Sequence, residues 1–124
     1  MNYLNIKGIP KKFDCCHLAA QYLSKELNID TSDWNAVSRD YDIRKEAEYI
    51  HDELLNLEMI DVEDSYQKGD IIIYKVGKYR AASATCVNNK VALVVCGVSK
   101  LTHIERIENK LYHLRHKSMI EEVK

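Results

Sequence analysis

Proline occurs once, as Pro10, and glycine four times in 124 residues. With so little of the two residues that punctuate chains, there is no Pro/Gly-rich linker, repeat or low-complexity tract. One continuous domain over residues 1–124 is expected. No apolar run approaches the roughly 20 residues of a membrane span, so no membrane span is expected. The opening "MNYLNIKGIPKK" has no apolar core and no small-residue cleavage site, and no signal peptide is read there. A charge excess is missing too: 18 Lys and Arg face 19 Asp and Glu, a formal net charge of -1. Nucleic-acid-binding domains usually carry a basic surplus, so no nucleic acid is expected as a partner. The four cysteines, Cys15, Cys16, Cys86 and Cys96, lack the two-residue spacer of zinc knuckles. That spacing argues against a structural zinc site, and with no secretion signal the thiols are expected reduced.

What is present has the make-up of a globular protein, 46% hydrophobic and 30% charged. Cys15, Leu18, Ala19, Tyr22, Leu23 and Leu27 recur at helical spacing and predict a helix over 15–27, with Asp14 as its N-cap and Asn28 as its stop. A second helix is predicted from about Asp40 to Leu57. Ile43, Ala47, Ile50, Leu54 and Leu57 form its apolar stripe, and Arg44, Lys45, Glu48, Asp52 and Glu53 a solvated face.

The periodicity then changes. "IIIYKV" (71–76), "ASATCV" (82–87) and "VALVVC" (91–96) read as strands. Gly69 is placed in the turn before the first. Asn88-Asn89 is the signal for a two-residue type I′ hairpin between the other two. "THIERIENKL" predicts a short helix in which Thr102 caps and Glu105 reaches back, followed by a last strand near 111–115. The basic "HLRHK" at its end is expected to be solvated. Two helices ahead of an antiparallel β half make an α+β fold, with the N-terminal helices packed on an antiparallel sheet or partial barrel.

Cys15 stands out chemically. At a helix start the first backbone N–H groups and the helix dipole favour thiolate over thiol, and the thiolate is the nucleophile. Such a cysteine needs a histidine base and a group to orient it. His17 lies two residues along the same helix and points away from Cys15. His51, His103, His113 and His116 lie on other segments and read as surface or packing residues.

Three stretches carry a resemblance to the NlpC/P60 cysteine peptidases, in particular to their short phage tail-associated members. "FDCCHLAAQYL" resembles the family's Asp-Cys pair opening the first helix. "YQKGDIIIY" is similar to its Lys-Gly-Asp lead into the first core strand. "ATCVNNKVALVV" is similar to the hairpin that follows. The tail "GVSKLTHIERIENKLYHLRH" resembles the C-terminal part of the phage type. The resemblance covers most of the chain from Lys12 to His116.

It implies a papain-like core and metal-free hydrolysis of cell-wall peptides, with no cofactor, by a thiolate at Cys15. The base position it implies falls at Ala82 and the orienting position near Val94. Cys16 and His17 stand where serine and glycine usually follow the nucleophile. The resemblance therefore implies a vestigial nucleophile whose base and orienter are lost. The expected protein is a catalytically inactive structural component of a phage tail, tail tip or baseplate. It would be made in the host cytoplasm, located in the virion, and partnered by other phage structural proteins. The alternative is an active peptidase or amidase on peptidoglycan peptides, with His103 or His113 swinging in as base.

Overall fold

Helix α1, Cys15–Leu27, has the bounds its periodicity predicts, but its inward side divides between two packing partners. Cys16, Ala19 and Leu23 join a core with Ile71, Ile73 and Leu114. Leu18 and Tyr22 pack instead with Tyr3 and Leu93. Cys15 is half-buried and Cys16 takes the fully inward place. The stop falls where expected: Asn28 adopts φ 57°, and the Ile29 N–H reaches back to the Leu23 carbonyl at 3.1 Å. The computed structural model describes residues 3–8, 15–32, 43–78 and 80–120, so the Asp14 cap lies outside the described residues.

A 3-10 turn, Ile43–Lys45, leads into helix α2, Glu46–Asn56. The start predicted near Asp40 also lies outside the described residues. Ile50 and Leu54, with Leu57 just past the helix, are buried, while Glu48 and Asp52 face solvent as their spacing predicts.

Six strands follow: β1 Met59–Asp61, β2 Ile71–Val76, β3 Arg80–Cys86, β4 Val91–Cys96, β5 Val98–His103 and β6 Lys110–His116. They form one antiparallel sheet in the order β1-β6-β2-β3-β4-β5. The fold is α+β. Side chains alternate across the sheet. Ile71, Ile73 and Leu114 face α1 and α2, whereas Ile72, Ala84, Cys86, Ala92 and Val94 face away and are covered by Ile104 and Ile107.

Two local expectations fail. Asn88-Asn89 is not a type I′ turn. Pairing ends at Cys86↔Ala92, the Val87 N–H donates to the Val91 carbonyl, and three residues cross over. The Asn88 side-chain oxygen instead accepts from the backbone N–H groups of Lys90 and Val91, at 2.8 and 2.9 Å. This Asx-type closure needs no positive φ. Nor does Thr102 cap a helix. It sits in β5 opposite Ala92, and the helical piece is one 3-10 turn, Ile104–Arg106. The ladder to β4 and the N-terminal segment both favour strand there. Asn5 N–H donates to the Ser99 carbonyl, Ser99 N–H to the Ile6 carbonyl, and Gly8 N–H to the Gly97 carbonyl.

Candidate functional site

β3 runs beside β2 from Arg80 to Thr85, but its pairing with β4 covers only Thr85↔Leu93 and Cys86↔Ala92. The two strands part toward the start of β3, and both helices begin near that split. The Ala81 N–H donates to Glu46 Oε1 at 2.7 Å, and the Ser83 N–H donates to Cys15 Sγ at 3.4 Å. Each helix start thus supplies an acceptor to a strand donor that β4 does not reach. An unpaired backbone N–H removed from water costs free energy comparable to a lost hydrogen bond. Glu46 is buried and is also gripped by Arg80 through Nε and Nη2, at 2.9 and 3.1 Å. The Ser83 hydroxyl is buried with no hydrogen-bond partner among the described residues.

The positions that the resemblance implies for base and orienter, Ala82 and Val94, do not share the Cys15 side of the sheet. Ala82 pairs with Tyr74, which packs on the far-side core, and Val94 belongs to that core. A strand reverses its facing with each residue. On β3, Ala81 packs against the same core as Cys15 and Ser83 bonds its sulfur, while Leu93 and Val95 of β4 pack with Leu18 and Tyr22. Neither His103 nor His113 comes to Cys15. His103 is exposed at the end of β5, and His113 lies on the far face, opposite Ile72.

His113 belongs instead to a polar cluster that the sequence reading missed. Its Nε2 lies 2.6 Å from Asp70 Oδ2. Arg115 donates to both Asp70 oxygens, from Nε to Oδ1 and from Nη2 to Oδ2, each at 2.8 Å. The Gln67 N–H adds a further bond to Oδ2 at 3.0 Å. Arg115 also grips Asp64 through Nη1 and Nη2, at 2.9 and 2.7 Å, and reaches the Ser65 carbonyl. Asp70 is 0% exposed and Arg115 4%, so "HLRHK" is not a solvated tail. Burial alone would push the Asp70 carboxyl up; the bonds from His113, Arg115 and Gln67 outweigh it and hold the group below the usual carboxylate range. The alternation in "KLYHLRH" carried the signal: with Leu114 turned to the helices, His113 and Arg115 must share the other face.

A second imidazole–carboxylate pair lies on the helix side. His51 Nε2 is 2.8 Å from Asp61 Oδ1, and its ring stacks on Tyr112 with centroids 4.1 Å apart. His116 Nδ1 accepts from the Ser118 N–H at 3.2 Å, and His17 stays on α1 two residues from Cys15. All four cysteines are free thiols.

No protein-family model matches the chain, and neither the curated proteins nor the solved structures contain a match. Among the described residues, no helix is long and apolar enough to cross a membrane, and no group of three or more His, Cys, Asp or Glu side chains is placed to hold a metal ion.

Proposed function

We propose that the chain is a catalytically inactive NlpC/P60-like domain with a papain-like core, acting as a structural protein of a phage tail, tail tip or baseplate through contacts with other virion proteins. The observation that carries the reading is the job given to Cys15. Its sulfur accepts the Ser83 N–H at the open edge of β3, and the base position that the resemblance implies on that strand is an alanine, Ala82. An alanine takes no proton, and general-base assistance is worth on the order of a hundred- to ten-thousand-fold. Further support comes from the order of parts: a helix opening on cysteine, a Gly-Asp turn into β2, then the β3–β4 hairpin.

The test compares wild type with Cys15→Ala on peptidoglycan fragments, scored by new amine termini. Neither protein is expected to turn over substrate, and Cys15→Ala is expected to melt at lower temperature because the Ser83 N–H loses its acceptor. Turnover by wild type that vanishes in Cys15→Ala overturns the reading. For the structural role, the protein is expected to co-purify with tail proteins from disrupted virions. A chain that stays monomeric and retains none of them refutes that part.

A further inference from the structure

Between β1 and β2 the chain crosses the sheet face opposite the helices as a strap, residues 62–69. Its attachments are few and differ in kind from those of the strands it joins. Glu63, Asp64, Ser65, Gln67 and Lys68 are exposed, and Val62 and Tyr66 are half-buried, whereas Ile71, Ile72 and Ile73 immediately after it are fully buried. At each end a backbone bond holds it shut, Val62 N–H to the His113 carbonyl and Gly69 N–H to the Cys86 carbonyl. The middle is held by Arg115, which grips both Asp64 oxygens and the Ser65 carbonyl from its seat on Asp70, and by the Gln67 N–H bond to Asp70 Oδ2. Tyr66 lies over the His113 ring, centroids 4.5 Å apart, and packs on the far-side core.

Two clefts border Tyr66. One, of about 410 Å³, is bordered by Asp61, Glu63, Lys110 and His113. The other, of about 470 Å³, is bordered by Lys90, His103, Glu105 and the same Lys110. Tyr66 from the strap and Lys110 from β6 line both.

We propose that the strap is a latched lid: it opens as a unit while the sheet stays folded, the Arg115–Asp64 clasp sets how often it does so, and its opening joins the two clefts into one groove across the sheet. Segments with little buried apolar surface open below the free energy of global unfolding. The clasp is asymmetric in a way that suits a latch. Arg115 is fixed in the body by Asp70, so releasing Asp64 frees the strap without emptying the buried site. Asp64 is exposed in the folded protein, so losing its charge leaves the core intact. This inference concerns the far face and stands apart from any role of Cys15.

Amide hydrogen exchange followed residue by residue on the whole chain tests it, comparing wild type with Asp64→Asn. Val62 and Gln67, whose N–H groups are bonded only while the strap is shut, are expected to exchange faster than the amides of β2 and β3 in wild type. Asp64→Asn is expected to speed those two up to about five-fold, the worth of a largely exposed ion pair, and to leave β2 and β3 rates unchanged. Strap amides that exchange at the β2 rate in wild type overturn the proposal, since the segment then opens only when everything does. So does an Asp64→Asn variant that speeds every amide alike, or one that leaves Val62 and Gln67 unaltered.

Discussion

Asp70 accepts hydrogen bonds from a backbone N–H, an imidazole and a guanidinium while wholly out of water. Breaking a buried ion pair by removing one partner is far more damaging than the pair is stabilising, because the survivor stays charged and unmatched. Asp70→Asn leaves the buried Arg115 guanidinium with only the exposed Asp64 as counter-charge and is expected to cost up to about 3 kcal/mol by denaturant unfolding. The pH dependence follows from the same carboxylate. Its folded value is depressed, so its stabilisation is complete above the unfolded carboxylate value near about 4 and is lost as pH falls through the lower folded value. Wild-type unfolding free energy is therefore expected to drop in that acid range. Asp70→Asn, starting lower, is expected to show a shallower acid limb; equal limbs would count against Asp70 as the titrating group.

Among the elements, the turn into β2 is the most tightly specified. Gly69 sits at φ 89°, and a Cβ built there would overlap the Leu27 side chain at the end of α1. Gly69→Ala therefore meets two penalties, left-handed strain of about 1–3 kcal/mol and a clash. Adding Leu27→Ala is expected to recover the clash but not the strain, so the double variant's melting temperature should fall short of the Leu27→Ala single. This turn, α1, β2 and β4 were legible in the sequence because each depends on nearby residues: helical spacing, a glycine, a run of β-branched residues. β1 and β5 were not. Three residues of "MID" carry no period, and "VSKLTH" becomes a strand because β4 and the N-terminal segment flank it, partners distant in sequence. Sidedness was harder still. The resemblance implied a base position at Ala82, which lies opposite Tyr74 of β2, whereas the β3 residue bonded to Cys15 is Ser83, one place further on.

At the scale of the molecule, a single sheet separates two apolar layers, and the thiols report on them differently. Cys86 lies at the centre of the far-side core; burial first, then the nearby Asp70 carboxylate, push its thiol up to about 12. Cys96, at the end of β4, is exposed. Iodoacetamide at pH 8 is expected to modify Cys96 in the native protein and Cys86 only at the rate of global unfolding, read by peptide mass. Rapid native labelling of Cys86 would show that the far layer is open. The split between β3 and β4 has a consequence for synthesis. The sulfur that closes the strand's edge is 68 positions upstream of the amide it serves. A 13-residue helix is marginal alone in water. The nascent segment must therefore leave the ribosome and wait, unanchored, until the hairpin it wedges apart has been translated.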